Sequence, residues 1–313
     1  MVENRPLTVT TVLYNSEGAL PRYAAALAPS VERGLVRVIA VDNASPDGSA
    51  ATLRRLLPGA ELLENAENLG FAAGCDRAWP LVESRYWMLL NPDVEAGADG
   101  LERLVEWMDR HPGVGLASPR LRGADGSEMP VARAHDSLWR PLCVALRLHK
   151  LLPQRLRSRW LLPGRRWTPE TIDGWVPGAA LIARSEAVAE AGPLDDGLFM
   201  YGEDREWCWR MRKAGWAVGV CPEVAFVHDG GGSAASTWDA GERLRREVAG
   251  QLLAARRMRG RLWTAAFAAL AGAVLLAESL DPRRSAGARG ARRRRGRLYL
   301  RGARGRVDTA GAI

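Results

Sequence analysis

Tyr86-Trp-Met-Leu-Leu-Asn-Pro-Asp-Val94 is the stretch of sequence that decides the fold. Its apolar run ends abruptly in Asn91-Pro92-Asp93, which predicts a buried strand that stops where polar side chains begin. Proline has no N–H to give a sheet ladder, so Pro92 is a natural strand end. Ligands of open α/β sheets bind outside the carboxyl ends of strands, where Asp93 can hold a divalent cation. Capping of a helix that begins near Ala98 is the alternative role for this carboxylate.

The rest of the chain alternates between predicted strands and helices. The predicted strands cover residues 7–13, 36–42, 61–63, 174–184, 217–221 and 224–227. The predicted helices cover residues 17–29, 49–57, 72–82 and 101–110, and another begins at residue 203. Alternation of this kind indicates parallel pairing with right-handed crossovers. The sequence therefore predicts an α/β fold with a mostly parallel, mixed sheet flanked by helices.

Polar loops follow three of the predicted strands and gather at one edge of the sheet. They are residues 42–49, 68–74 and 91–93. Asp42 can accept hydrogen bonds from a nucleobase or a ribose hydroxyl, and Gly70 lets the backbone approach a bulky ligand. Helix capping by Asp42 and an ordinary turn at Gly70 are the alternatives. The recurrence of such loops at successive strand ends favours a binding site.

Two acidic residues, Glu203 and Asp204, begin a predicted helix in the second half of the chain. Carboxylates are stabilised there by the helix dipole, which explains them without any function. The functional alternative is that one of them deprotonates a hydroxyl nucleophile. A preceding Pro177-Gly178 bend can form the floor of a sugar pocket, or only a bulge.

His228 ends an apolar strand and precedes a glycine run. A lone histidine is more often structural than a ligand, but this position allows it to reach a metal held by Asp93. The glycine run of residues 230–232 is a candidate lid over a bound ligand.

Composition and motifs exclude several classes of protein. A hydrophobic content of 47% argues against a disordered chain. There is no GxGxxG and no GxxxxGK[ST], so neither a dinucleotide fold nor a P-loop is supported. The four cysteines have no CxxC spacing and indicate incidental thiols of a reducing compartment. The first residues do not resemble a secretory signal.

The net charge of +8 is concentrated in two basic segments. Residues 133–167 carry eight Arg and one Lys against one Asp, and residues 281–313 carry 11 Arg against two Asp. The first is also rich in Trp and Leu, and the second follows a 16-residue uncharged stretch at 262–277. This stretch is short for a membrane span and suits a buried helix or an interfacial anchor better. We expect an anionic membrane surface as a partner, and not nucleic acid.

Three segments together resemble glycosyltransferase family 2, and within it the bacterial rhamnosyltransferase-like branch. They are Val41-Asp-Asn-Ala-Ser-Pro-Asp-Gly-Ser49, Asn68-Leu-Gly-Phe-Ala72 and Leu90-Asn-Pro-Asp-Val94. The resemblance implies the GT-A fold, in which one α/β sheet binds a nucleotide-diphospho-sugar. It implies that Asp93 is the last acid of a DxD-type motif, in which Asn91 replaces the first Asp. It also implies that a divalent cation, Mg²⁺ or Mn²⁺, is the cofactor.

The same resemblance assigns roles to individual residues. Asp204 is then the catalytic base, with Glu203 orienting the acceptor, and His228 joins Asp93 at the metal. The donor is expected to contact Tyr14, Asn15, Asp42, Asn43, Asn68, Gly70, Asn91, Asp93 and Gly178. The expected division is 1–132 for nucleotide-sugar binding, 133–167 as a basic amphipathic insertion and 168–236 for acceptor binding and catalysis. Residues 237–280 are expected to form C-terminal helices that associate with the membrane, followed by a flexible tail at 281–313.

The expected function is that of an inverting glycosyltransferase at the cytoplasmic face of the plasma membrane. It would move a sugar, with dTDP-rhamnose as the first candidate donor, to a lipid-linked glycan acceptor. A sugar-phosphate nucleotidyltransferase is the alternative enzyme, although Tyr14-Asn15-Ser16-Glu17 is not the Gly-rich basic loop expected after its first strand. A membrane-associated protein with an inactive sugar-nucleotide site is the third possibility.

Overall fold

The structure is a computed structural model that describes residues 5–97, 99–146, 171–229 and 238–305. Its strands are β1 (Leu7–Leu13), β2 (Val36–Asp42), β3 (Glu61–Glu64), β4 (Tyr86–Leu90), β5 (Val94–Glu95), β6 (Val114–Arg122), β7 (Glu128–Met129), β8 (Ala180–Arg184) and β9 (Ala217–His228). Its helices are α1 (Leu20–Glu32), α2 (Ser49–Leu56), α3 (Phe71–Ala78), α4 (Gly100–Arg110), α5 (Trp139–Ala145), α6 (Ser185–Ala191), α7 (Glu203–Lys213), α8 (Ala240–Arg259), α9 (Arg261–Glu278) and α10 (Ala286–Ala303).

The described strands form one mixed sheet in the order β3-β2-β1-β4-β8-β6-β9-β5, with β7 paired to β6. The first four strands are parallel, and β8 joins antiparallel to both β4 and β6. Because β8 is antiparallel to both of its neighbours, β6 runs in the same direction as β4, and β9 is parallel to β6. The carboxyl ends of β1, β2, β4 and β9 therefore meet at one edge of the sheet. The predicted α/β architecture with its mostly parallel, mixed sheet is confirmed.

Strand β4 is the centre of the core. All five of its residues are buried, as its unbroken apolar sequence requires of a strand covered on both faces. The Trp87 indole donates to the Thr10 hydroxyl at 2.8 Å. Its ring lies 5.1 Å from that of Trp79 and 5.8 Å from that of Trp207 on helix α7. The aromatic cluster therefore ties the sheet to the helix that carries the two acidic residues.

Several element boundaries differ from the sequence prediction for local reasons. Helix α1 begins three residues later than predicted, because Ser16 and its neighbours form a turn whose carbonyl accepts from Ala19. Helix α3 stops at Ala78, since Pro80 has no N–H to continue the α-helical ladder, and a 3₁₀ turn follows. Strand β8 begins only at Ala180, and β9 runs unbroken where two strands were predicted.

The C-terminal helices pack together around a small core of their own. Val248, Leu252, Phe267, Ala268 and Tyr299 are buried in it. A Cβ added to Gly272 on α9 would lie 2.9 Å from the Gly296 carbonyl oxygen on α10, so the two helices touch through their glycines. Residues 286–303 are therefore a packed helix, which corrects the expectation of a flexible tail for this segment. The segment was predicted to be flexible as part of an Arg-rich tail, whereas Arg292 pairs with Glu278 of α9.

Helix α9 is long and apolar enough to cross a membrane, by length and composition alone, and no other helix of the described residues is. Only 28% of its 18 residues are buried. Most of the basic insertion, including Trp160 and Trp167, lies outside the described residues, as do the glycine run at 230–232 and residues 306–313. Within the described part of the insertion, Trp139 is 69% exposed.

Candidate active site

A cavity of about 650 Å³ opens at the carboxyl edge of the sheet. Four groups of residues line it: the strand ends, the loop at 68–71, the bend at 175–179 with the start of α7, and the C-terminal helices. Ten of the predicted site residues share this one cavity: Tyr14, Asn43, Asn68, Gly70, Asn91, Asp93, Gly178, Glu203, Asp204 and His228. The acidic residues from distant parts of the chain therefore converge.

Asp42 and Asn15 are the two predicted site residues that do not line the cavity. Asp42 is 5% exposed, and its Oδ2 accepts from the Ser45 N–H at 3.0 Å. Its Oδ1 is buried and has no hydrogen-bond partner within the described ranges. The structure places Asp42 beside the wall, one residue from Asn43. Contact of Asp42 and Asn15 with a nucleotide remains a prediction.

Asn43 and Gly70 hold the loops of this wall together. The Asn43 amide donates to the Gly70 carbonyl at 2.9 Å and accepts from the Asn65 amide at 2.7 Å. Gly70 has φ +86°, and a Cβ there would lie 2.4 Å from the Phe199 carbonyl oxygen. The Phe71 N–H donates to that same oxygen at 2.8 Å. Gly70 is therefore needed to dock its loop against the segment that leads into α7.

Asp93 and His228 form the cation-binding candidate. Strand pairing of Val94 with His228 brings them together, and His228 Nε2 lies 3.4 Å from Asp93 Oδ1. Both side chains are largely buried, at 12% exposure for Asp93 and 16% for His228. Two neighbouring ligands of an octahedral ion at about 2.1 Å stand roughly 3 Å apart, so the pair fits one divalent cation.

Protein ligands alone do not complete such a site. The described residues contain no group of three or more His, Cys, Asp or Glu side chains able to hold a metal. Mg²⁺ is commonly held by one or two carboxylates together with substrate phosphates and waters. The Asp93–His228 pair suits a cation that arrives with, and is shared with, a diphosphate.

Glu203 and Asp204 begin helix α7 in different electrostatic surroundings. Asp204 accepts from the Gly178 N–H at 3.1 Å and from its neighbour Arg205 N–H at 2.7 Å. Glu203 Oε2 is buried and has no hydrogen-bond partner within the described chain. Burial raises the pKa of both carboxyls, and the charge of Asp204 raises the pKa of Glu203 further.

These surroundings separate the two roles. Asp204 accepts N–H groups on both of its carboxylate oxygens, whereas Oε2 of Glu203 has no donor among the described residues, so Asp204 keeps its negative charge more readily. The helix N-terminus adds to that stabilisation. We therefore assign the negative charge of the pair to Asp204 and the proton to Glu203. Asp204 is the group able to accept a proton at the cavity wall.

The backbone before α7 is held in place by a close contact with α8. Tyr201 has φ +66° and Gly202 φ +134°. A Cβ added to Gly250 on α8 would lie 1.6 Å from the Tyr201 carbonyl oxygen, and one on Gly202 would lie 2.5 Å from the Gly250 carbonyl oxygen. The position of Glu203 therefore depends on a glycine almost 50 residues later. The only sequence signal for this contact is a glycine inside a predicted helix.

Gly250→Ala is expected to lower the free energy of unfolding by about 1–3 kcal/mol, the usual effect of overpacking a close contact. The alanine methyl group must push back the Tyr201 carbonyl, which is backbone and cannot rotate away. Gly287→Ala on α10 is the control, because no atom lies within 4 Å of its added Cβ. Urea denaturation measures both; equal stability of Gly250→Ala and wild type would show that the contact is not tight.

The C-terminal helices supply a further wall that sequence reasoning missed. Arg243, Glu247 and Gln251 lie on one face of α8, and Arg295 of α10 pairs with Glu247 at 3.2 Å. All four had been assigned to a membrane anchor or a flexible tail. No spacing motif marks them, because they meet only when α8 and α10 pack together.

A polar network joins this wall to helix α7. Arg205 donates to Asp136 Oδ2 at 2.7 Å, and both side chains are about 15% exposed. The Gln251 amide donates to Asp136 Oδ1 at 2.8 Å and accepts from the Tyr299 hydroxyl. Helices α7, α8 and α10 therefore share one buried set of hydrogen bonds next to Asp204.

Comparison with known proteins identifies the family of this chain. The family model "Glycosyl transferase family 2" matches residues 8–168. An N-acetylglucosaminyl-diphospho-decaprenol L-rhamnosyltransferase of Mycobacterium tuberculosis is 31% identical over 239 residues, covering 71% of this chain and 75% of its own length. A pre-mycofactocin glycosyltransferase of the same organism is 30% identical, covering 72% of this chain and 43% of its own length.

Solved structures show the same fold. A mannosyltransferase from Pyrobaculum calidifontis, solved with GDP-Man and Mn²⁺, has a TM-score of 0.58 at 16% identity, over 97% of this chain and 88% of its own. Glucosyl-3-phosphoglycerate synthase from M. tuberculosis, solved with Mn²⁺, UDP and phosphoglyceric acid, has a TM-score of 0.54 at 16% identity, over 82% and 79%. The GT-A fold predicted from the sequence is confirmed. The chain belongs to glycosyl transferase family 2 and is a glycosyltransferase that resembles the rhamnosyltransferases of that family.

Proposed function

We propose that the enzyme moves a sugar, with L-rhamnose from dTDP-rhamnose as the first candidate, to a lipid-linked glycan acceptor in cell-envelope polysaccharide synthesis. One observation carries the proposal: the Asp93–His228 pair and the anionic Asp204 line a single cavity. The Asp93–His228 pair is suited to a cation that binds a nucleotide diphosphate, and Asp204 is suited to an acceptor hydroxyl. The choice of sugar and of acceptor is supported by the mycobacterial relative, whose name states both.

Asp93 and His228 would hold a divalent cation, Mg²⁺ or Mn²⁺, which when bound neutralises the charge that develops on the leaving diphosphate. Solved structures of the same fold that contain Mn²⁺ beside a nucleotide support a divalent ion. Asn91, at the carboxyl end of β4, stands where a full DxD motif has its first acid. The protein therefore offers the cation one carboxylate and one imidazole from this edge of the sheet.

Asp204 accepts the proton of the acceptor hydroxyl while the hydroxyl oxygen attacks the anomeric carbon. The bond from that carbon to the diphosphate oxygen breaks in the same displacement, so the anomeric configuration inverts. Glu203, which holds its proton, can donate a hydrogen bond that orients the acceptor. The two backbone N–H donors on Asp204 fix the direction of its carboxylate before the substrate arrives.

We place the enzyme at the cytoplasmic face of the plasma membrane as a peripheral protein. The apolar helix α9, of whose residues only 28% are buried, supports this placement, and so do the exposed side chains of Trp139, Leu262 and Leu280. The arginines of α10 add attraction to anionic headgroups, at about 1 kcal/mol for each basic residue near the surface. An acceptor confined to the membrane is then delivered along the surface on which the enzyme lies.

The test is a transfer assay with purified full-length enzyme, dTDP-rhamnose, Mn²⁺ and an N-acetylglucosaminyl-diphospho-polyprenol, with UDP-sugars in parallel. The expected products are dTDP and an elongated lipid. Release of inorganic pyrophosphate would instead identify a nucleotidyltransferase. If a donor binds but no combination of donor and acceptor releases the nucleotide, the site is inactive and the proposed function would be withdrawn.

A further inference from the structure

A second, largely apolar groove lies beside the catalytic cavity. It has a volume of about 330 Å³ and runs between α5 and the pair α9 and α10. Pro141, Phe267, Ala271, Val274 and Leu275 form its apolar lining. Arg295 lines both the groove and the catalytic cavity. The two spaces are therefore neighbours that share Arg295.

Two arginines stand where the cavity meets the C-terminal helices. Arg243 is half-buried on the cavity wall and makes no ion pair with any residue that the structure describes. Arg295 has a side chain that is 41% exposed and shares its charge with Glu247 at 3.2 Å. Arginine is the preferred residue for binding phosphate oxygens, since its planar fork donates two parallel hydrogen bonds. Together they are a candidate anion-binding position on α8 and α10, which are different elements from those that carry the Asp93–His228 pair.

The base lies next to both features. Asp204 is followed by Arg205, whose guanidinium binds Asp136, and Asp136 is part of the groove lining. Gln251 binds the same Asp136 and lies on the α8 face that carries Arg243. A proton acceptor, a cationic position and an apolar groove are thus linked through Asp136 and Arg295. A lipid-linked acceptor carries three matching parts: a sugar hydroxyl, a diphosphate and a hydrocarbon chain.

We propose that Arg243 and Arg295 bind the diphosphate of the acceptor lipid and that the groove holds the first part of its isoprenoid chain. This inference rests on the proposed function and specifies how the same site takes its acceptor. We assign a hydrocarbon occupant to the groove because its exposed lining is largely apolar and because it shares the cationic Arg295 with the cavity. The competing source of a diphosphate at these arginines is the nucleotide donor, and the test separates the two.

Binding is measured first, by calorimetry on the full-length enzyme without donor, with farnesyl diphosphate as the probe. Arg295→Gln is expected to weaken its binding at least about tenfold, as for loss of a charge-assisted hydrogen bond. Arg243→Gln is expected to act in the same direction. Arg293→Gln is the matched control, because Arg293 lies on the same helix, is exposed and lines neither space. dTDP with Mn²⁺ is titrated in parallel and is expected to bind all these variants equally.

The assignment of the groove is tested by placing a polar side chain in its apolar lining. Val274→Gln places an amide in the apolar lining and is expected to weaken farnesyl diphosphate binding several-fold, whereas inorganic diphosphate binds as to wild type. Ala273→Gln is its control, because the neighbouring Ala273 is exposed on the same helix and lies outside the groove lining. Equal effects of Val274→Gln and Ala273→Gln would overturn the groove assignment.

The outcomes distinguish this inference from the function on which it rests. Farnesyl diphosphate binding that is unchanged in Arg295→Gln and Arg243→Gln would overturn the arginine assignment, even in an enzyme that transfers sugar. Loss of dTDP binding in Arg295→Gln would assign that residue to the donor instead. Specific farnesyl diphosphate binding without transfer to any lipid would contradict the proposed function and leave the lipid site standing.

Discussion

Asp204→Asn is expected to lower kcat for sugar transfer by about 10²–10⁴-fold, the usual contribution of a general base. The dissociation constant of the nucleotide-sugar donor is expected to stay within twofold of wild type. The amide has no negative charge with which to accept the acceptor's proton, yet the Asp93–His228 pair is untouched. Initial-rate kinetics and donor calorimetry measure the two quantities separately.

Glu203→Gln is the informative partner to this variant. If Glu203 already holds a proton, glutamine keeps its size and its ability to donate, so kcat is expected to fall by less than about tenfold. An amide at 204 can accept only one of the two backbone N–H groups that Asp204 now satisfies. Thermal unfolding of both variants therefore accompanies the kinetics. A large loss in Glu203→Gln with near-normal rates in Asp204→Asn would reverse the assignment.

The pH dependence of wild type follows from the same pair. Burial raises the pKa of Asp204 above its usual range. The base must be ionised to act, so kcat is expected to fall as pH is lowered through that raised pKa. The acidic limb of the profile is then expected at higher pH than an ordinary aspartate would give. Glu203→Gln should retain this limb, because the titrating carboxyl is still present.

Asp93→Asn is expected to reduce the affinity for Mn²⁺ in the presence of dTDP by at least about 100-fold. Loss even of outer-shell partners of metal ligands costs 10–100-fold, and this change removes a charged ligand itself. His228→Gln is expected to have a smaller effect in the same direction. Electron paramagnetic resonance of free Mn²⁺ during titration gives the affinity directly.

Asp229→Asn is the control for both variants. Asp229 follows His228, but its carboxylate is bound to Arg22 and its side chain is 42% exposed. Removing its charge is expected to leave Mn²⁺ affinity within about twofold. A comparable loss in all three variants would mean that general negative charge, and not the Asp93–His228 pair, attracts the cation.

The sequence was sufficient to predict the first half of the fold and most of the cavity. Strands such as β4 are buried on both faces, so their apolar residues form an unbroken run that ends visibly at Asn91. Parallel strands place their carboxyl ends together, which is why Asn43, Gly70 and Asp93 meet on one wall. Asp42 shows the limit of that reasoning, because a strand end predicts an edge and not which of two adjacent side chains lines the cavity.

The remainder depended on contacts between distant residues. Helix α10 was predicted to be part of a flexible tail, because its small apolar face, centred on Tyr299, is interrupted by arginines. Gly250 matters because Tyr201 lies against it, and its one sequence signal, a glycine inside a predicted helix, does not identify the partner. The different roles of Glu203 and Asp204 could not be read from adjacent carboxylates, since the N–H of Gly178 that distinguishes them comes from another loop.

The position of a bound cation tests the central claim most directly. A crystal of the wild-type enzyme soaked with Mn²⁺ and dTDP is measured at a wavelength where manganese scatters anomalously. The account predicts a peak within coordination distance of Asp93 and His228, in contact with the diphosphate and in the same cavity as Asp204. A manganese peak at other side chains, or a nucleotide bound in a different cavity, would contradict the account.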